Sequence, residues 1–320
     1  MHIPDGFLDA RTCAGTLCLA AAGLACTARR VTAQWTDRTV PMLGVMAAFV
    51  FAGQMVNFPI PGGTSGHLAG GVLAAVLLGP AAASMALTTV LAVQCLLFQD
   101  GGITAFGANV VNLALIGVWG GHAVRRVLRR CWRTEVGGLV AAGVAAWASV
   151  MMAAAGCSIA LATAGVAPLR LVAVTMLTTH AVIGVGEAVI TTGVLGFVVK
   201  VRPDLVQESG PASPSTTSLK TILVSGLLAA AGVAVLLAPL ASSFPDGLES
   251  AAARLGFAER ARTVLAGPMP GYSLGSIPGA WWSTTVAALM GVAASFGLAW
   301  LGAWMVARRL SRPTLRGPGA

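Results

Sequence analysis

The second residue of this chain is a histidine, His2, one peptide bond from the amino terminus. A histidine there can chelate a metal ion through the terminal amine, the deprotonated peptide nitrogen of residue 2 and an imidazole nitrogen. The fused five- and six-membered rings hold these three donors almost in a plane. A fourth nitrogen would complete a square-planar set, the geometry that suits Ni(II) or Cu(II). The chain has three further histidines, His67, His122 and His180. His67 closes a Gly/Pro-built loop, PIPGGTSGH at 59–67, able to carry its ring toward the terminus. His122 lies in an arginine-rich stretch, where a solvated role is expected. Chemistry alone leaves both the chelate and an ordinary histidine open.

Other polar side chains stand inside strongly apolar stretches: Gln54, Asn57, Gln94, Asp100, Asn109, Asn112, His180 and Glu187. Ionisable and amide groups are costly in hydrocarbon, so each is a functional candidate. Asn109 and Asn112 are three residues apart, and His180 and Glu187 seven, so each pair shares a helix face. The six cysteines show no CxxC pair or zinc-type spacing and read as small apolar packing residues. Ala14, Cys18, Ala22 and Cys26 form a stripe of small residues that permits close helix approach.

The elements that must position these groups are transmembrane helices. The chain is 56% hydrophobic and 10% charged, whereas a soluble domain carries about 25% charge. Nine apolar stretches are read at about 12–28, 40–56, 67–80, 81–98, 103–121, 136–165, 171–198, 221–243 and 281–305. The third is short and interrupted by Gly70, Gly71 and Pro80, as in a helix that starts below the membrane surface. The net charge of +9 reflects topology. With the N-terminus outside and the C-terminus cytoplasmic, fifteen of the twenty basic residues fall on cytoplasmic ends. No basic-aromatic interleaving suggests nucleic acid. The start MHIPDGFLDA lacks the basic and apolar regions of a signal peptide, so Met1 is expected to remain.

Residues 1–200 read as one membrane body and 201–220 as a flexible cytoplasmic linker rich in Pro, Ser and Thr. Residues 221–310 read as a two-helix unit whose external segment, 243–280, has a helical pattern over 249–261.

Four ordered motifs carry a family resemblance: MHIPDGFL at the start, FAGQMVNFPIPGGTSGHLAGGVLAAVLLGP at 51–80, FQDGGITAFGANVVN at 98–112 and HAVIGVGEA at 180–188. Together, over about residues 1–200, they resemble the substrate-binding S component of energy-coupling factor (ECF) transporters for nickel and cobalt, the CbiM/NikM family. PDGLE at 245–249 is similar to a segment of the small accessory subunit, CbiN/NikN-like, of such systems. The resemblance implies an all-α polytopic bundle of about seven helices plus a two-helix accessory unit. It implies a metal site of the Met1 amine, the His2 amide and imidazole, and His67. It also implies a non-catalytic subunit in the cell membrane that captures Ni2+ or Co2+ outside as substrate, with no cofactor. Its partners would be a membrane T component (CbiQ/NikQ-like) and cytoplasmic ATPases (CbiO/NikO-like). The chain's lack of a GxxxxGK[ST] loop agrees with energy supplied by partners. GGTSGHL departs from the Ser-Cys-Ser-His-Pro core of cobalt-type members and points to the nickel-type branch.

Asn57, Thr64, Ser65, Gln94 and Asn109 are candidates to fix the His67 ring. Asp5 and Asp100 could draw cations to the mouth. His180 and Glu187 would be either an intramembrane pair that fixes packing or a step on the release path. A proton-coupled secondary transporter using His180 and Glu187 is the alternative function, although no inverted repeat is evident. A catalytic zinc site lacks any HExxH-like spacing.

Overall fold

Apolar runs of this length satisfy their backbone groups internally, as hydrocarbon demands, and so form helices. The computed structural model describes residues 1–32, 38–206 and 218–310, and each of the nine apolar stretches contains a helix. Helices α1 (Ala10–Thr32) and α2 (Thr39–Met55) precede a small hairpin, β1 (Phe58–Ile60) and β2 (Thr64–Gly66). Next come α3 (Gly71–Leu78) and α4 (Pro80–Val93), which continues as a π-helical segment, Gln94–Phe98. A single rod, Phe106–Cys131, contains α5 (Phe106–Asn109), a π-helical segment (Val110–Gly117) and α6 (Val118–Cys131). The long antiparallel pair α7 (Glu135–Thr163) and α8 (Leu169–Val201) completes the first part. The second part is α9 (Leu219–Leu236), the short α10 (Gly247–Leu255) and α11 (Ala280–Leu310). Among the described residues, seven helices are long and apolar enough to cross a membrane, and α2 is a shorter apolar helix. This is an all-α polytopic bundle.

The third apolar stretch yields only the eight residues of α3. Gly70, at φ 74°, opens α3, and Gly79, at φ 79°, closes it before Pro80 starts α4. Large apolar side chains face outward along the long helices, among them Val140, Trp147, Val189, Phe197 and Leu228. Water disfavours such a belt, whereas lipid does not. The stripe Ala14, Cys18, Ala22 and Cys26 also faces outward, away from the bundle's own core. Among the cysteines, Cys95 and Cys157 are buried and Cys18, Cys26 and Cys131 exposed; all are free thiols.

Two features depart from the sequence reading. Most of the stretch 59–67, read as a loop, belongs to an antiparallel hairpin over 58–66, with Phe58 opposite Gly66 and Ile60 opposite Thr64. Gly62 and Gly63 turn it with φ of 93° and 68°, a conformation that glycine adopts at little cost. The helical pattern read at 249–261 begins two residues earlier and ends at Gly256, whose φ of 75° caps it. Asp246 is its N-cap, accepting from the Leu248 and Glu249 N–H groups while the Glu249 carboxylate accepts from the Asp246 N–H. The linker read at 201–220 lies in its central part, 207–217, outside the described residues. On either side of it, α8 ends at Val201 and α9 begins with Ser218 as its cap.

The C-terminal helices dock on α2. Gly44 lies under the Phe296 ring and Gly226 under Val45, where a methyl group would meet those side chains at 3.0 and 2.3 Å. This brings the segment between α9 and α11 over the ends of α2 and the hairpin.

Candidate metal centre

The N-terminal residues form a non-helical segment packed into the bundle, which turns at Asp5–Gly6 before α1. Asn109 grips Ile3 at two points: its Oδ1 accepts the Ile3 N–H at 2.8 Å and its Nδ2 donates to the Ile3 carbonyl at 3.0 Å. The Gly102 N–H donates to the same carbonyl at 2.8 Å. A Cβ on Gly102 would stand 2.3 Å from the Asp5 nitrogen, so the two backbones approach closely because glycine stands there. Asp5 accepts from the Thr104 N–H and hydroxyl at 2.7 and 2.5 Å. Phe7 packs edge-on against Phe257, with ring centroids 5.1 Å apart. Residues 3–7 are thus fixed, and Met1 and His2 are placed by them.

His67 follows the hairpin, and its surroundings hold the main chain rather than the ring. The buried Glu187 carboxylate accepts both the Ala69 and the Gly70 N–H, at 2.6 and 2.9 Å. The Gln54 amide donates to the Ala69 carbonyl at 3.0 Å, and the Gln94 amide donates to Gln54 at 2.9 Å. Glu187 lies 18 residues into α8, about 27 Å along the helix at ~1.5 Å per residue. The loop is therefore tied down deep in the bundle. Irregular backbone at that depth is tolerated because it is buried in protein.

These anchors bring together groups 66 residues apart. The Met1 amine lies 3.2 Å from Nε2 of His67. The Nδ1 of His67 lies 3.0 Å from the Leu68 carbonyl, which can only accept. Nδ1 therefore carries the proton, and Nε2 presents its lone pair to the amine. The His2 ring stands beside it, with centroids 5.3 Å apart. Among the described residues, no three His, Cys, Asp or Glu side chains are grouped so as to hold an ion.

Two carboxylates complete the centre. Asp100 Oδ1 lies 2.6 Å from Nδ1 of His2, and Asp246 Oδ2 accepts from the Met1 amine at 2.5 Å. The Tyr272 hydroxyl donates to the other oxygen of Asp100, and its ring stacks on Phe98 with centroids 4.7 Å apart. Burial opposes charge on the Met1 amine, but Asp246 outweighs it and raises the amine's pKa. Burial and the neighbouring ammonium lower His67 to about 3, which keeps it neutral. Burial alone would raise Asp100 and Asp246, but the facing His2 and the Met1 amine respectively hold them below the usual carboxylate range. Burial and the adjacent Asp100 raise the Tyr272 phenol, which stays a donor.

The residues singled out in the sequence fall into distinct places. Met1, His2 and His67 converge. Asn109 and Gln94 act on backbone, and the His67 ring is oriented by the Leu68 carbonyl rather than by any of the five candidates. Thr64 and Ser65 face the C-terminal unit, bonding Ser250 and the carbonyl oxygens of Phe244 and Pro245. Asn57 accepts the Ser242 N–H through its carbonyl. Asp5 and Asp100 are engaged in bonds, not free at a mouth. His180 and Glu187 share a buried face without pairing: Nδ1 of His180 is 2.7 Å from the Met176 carbonyl, and Glu187 is committed to the loop. Asp246 and Tyr272 were not read as site residues. The only signals for them were the PDGLE motif and the fact that the chain has a single tyrosine.

The fold is a multi-pass helical membrane bundle that gathers nitrogen atoms around a buried amino terminus. The family model described as the cobalt uptake substrate-specific transmembrane region, CbiM, matches residues 2–205, and the PDGLE domain model matches 220–308. This chain belongs to the CbiM family. It is 38% identical over 276 residues to a protein of Archaeoglobus fulgidus named as a fused nickel transport protein, NikMN, covering 86% of this chain and 88% of that one. It is 35% identical to the fused nickel transport protein NikMN of Rhodobacter capsulatus, over 67% of this chain and 66% of that one. The cobalt transport protein CbiM of Geobacter sulfurreducens is 32% identical, over 66% of this chain and 62% of that one. A crystal structure titled as a transition metal transporter superposes with a TM-score of 0.58 at 33% identity, covering 63% of this chain and 93% of that one.

Proposed function

We propose that this chain is the substrate-capture component of an ATP-driven ECF transporter, taking a divalent ion, Ni2+ before Co2+, from outside the cell membrane. Four nitrogens hold the ion: the Met1 amine, the His2 amide and Nδ1, and Nε2 of His67. One observation carries the proposal, the 3.2 Å approach of the Met1 amine to His67 Nε2. Nickel is favoured by the square-planar nitrogen set and by the fused nickel transport relatives.

Nδ1 is the imidazole nitrogen that closes the six-membered chelate ring, so loading requires Asp100 to release it. The amine and amide protons leave as the doubly charged ion enters, and the proton that joins Nδ1 of His2 to Asp100 passes to Nε2 of the same ring. The charge of the buried centre is then unchanged, with Asp100 and Asp246 beside it in both states. Removing charge mismatch matters most where solvent is excluded. The chain supplies capture; a T component and cytoplasmic ATPases supply the energy. The outward small-residue stripe of α1, a helix with only 17% of its span buried, is a suitable docking face. In this reading the N-terminus lies outside and the C-terminus in the cytoplasm.

Metal analysis of the full chain purified with its native Met1, with Ni(II) and Co(II) in competition, tests the proposal. One ion per chain, with Ni(II) preferred, is expected; a chain that retains neither ion contradicts it. Proton-coupled transport through His180 and Glu187 finds no support in the geometry, because the Glu187 oxygens are both bonded to backbone N–H groups.

A further inference from the structure

We propose that His180 is a second imidazole donor for the ion, a transit position on the inner side of the capture centre. The inference rests on the capture reading above.

A cavity of about 10 Å3 lies against that centre, lined by Met1, His67 and Asp246 on one side and by His180 on another. Its volume suits one water-sized guest. His180 is buried within α8, with 1% of its surface exposed. Its Nδ1 lies 2.7 Å from the Met176 carbonyl, one turn back on the same helix. A carbonyl only accepts, so Nδ1 carries the proton and Nε2 bears a lone pair. His67 is fixed in the same tautomer by the Leu68 carbonyl. Two imidazoles with unprotonated Nε2 atoms, that of His67 facing the Met1 amine, therefore line one cavity beside a carboxylate.

The ring's Nε2 edge faces Gly247, which also lines the cavity. A Cβ on Gly247 would fall 2.6 Å from Cε1 and 3.0 Å from Nε2 of His180. The Asp246–Gly247 pair thus borders both the amino terminus and His180: Asp246 holds the Met1 amine, and Gly247 leaves room for His180.

An ion leaving the planar chelate keeps His67 and exchanges the Met1 amine and the His2 nitrogens for His180 Nε2. The amine and amide then recover the two protons lost on capture. Stepwise exchange between nitrogen donors spares the ion a fully stripped state.

The test uses Ni(II) alone on the full chain in detergent. His2→Ala removes the planar chelate but leaves Met1, His67 and His180, so weak Ni(II) binding should remain. Adding His180→Ala should weaken that residual binding at least tenfold, and by a much larger factor than it does when His2 is present. Equal affinities of His2→Ala and His2→Ala/His180→Ala would overturn the proposal. If His180→Ala fails to fold, His180→Gln replaces it, because its amide nitrogen can still donate to Met176 but offers no imidazole lone pair. Failure of the capture reading looks different: wild-type chain would bind no Ni(II), or His2→Ala would bind as wild type does.

Discussion

The carboxylate of Asp246 accepts a hydrogen bond from the amine of Met1 at 2.5 Å, joining residues 245 positions apart. The same carboxylate caps α10 through its other oxygen. One side chain thus starts the helix of the C-terminal unit and holds the first residue of the chain. The contact is reinforced nearby, since the Ser65 N–H donates to the Pro245 carbonyl at 2.8 Å and extends the hairpin with a third strand-like segment.

Asp246 sets the pH dependence of capture. It raises the amine's pKa, so a proton competes with the ion at neutral pH and affinity climbs as pH rises. His67, at about 3, adds no competition above about pH 4. Asp246→Asn keeps a capping side chain but removes the charge, which lowers the amine's pKa. The pH of half-saturation at fixed Ni(II) should move down by about one unit. It is read by titrating Ni(II) binding between pH 5 and 9, and an unmoved midpoint contradicts the role given to Asp246.

His67→Ala removes the fourth nitrogen while leaving the terminal chelate. Ni(II) affinity measured by calorimetry should fall by about two decades, near 3 kcal/mol. Wild-type affinity would place the fourth donor elsewhere.

Glu187→Gln tests the anchor of the His67 loop. The Gln side chain offers one acceptor oxygen where two N–H groups need partners, so one buried donor is left unpaired. The cost expected is about 1–3 kcal/mol, seen as a lower unfolding temperature in detergent and as weaker Ni(II) binding. If both match wild type, Glu187 does not position the loop.

The bundle was readable because apolar runs of this length have one solution in hydrocarbon. His2 and His67 were readable because imidazoles are scarce here and the chelate needs only adjacency to the terminus. The hairpin at 58–66 was hidden because its Gly and Pro residues signal turns, while three-residue strands show no periodicity. Glu187 stood out as an acid in a span, but its partners are backbone N–H groups, which have no sequence signature. Asp246 read only as part of a short motif, since helix capping and amine binding ask the same of a carboxylate. Tyr272 reaches Asp100 through a turn in which it and Gly271 have φ of 59° and 60°, a local path that composition does not reveal.

The central claim is that the amino terminus itself coordinates the ion, and a two-residue insertion tests it most directly. Placing two glutamines between Met1 and His2 keeps every native side chain but moves the imidazole to the fourth position. There it no longer closes fused five- and six-membered rings with the amine, whereas a single inserted residue would create another four-nitrogen chelate. Ni(II) titration of native and inserted chains, purified side by side with free amino termini, gives the answer. The account predicts one tightly bound ion in the native chain and a loss of at least about a thousandfold in Kd on insertion. Equal Kd values for the two chains would contradict it.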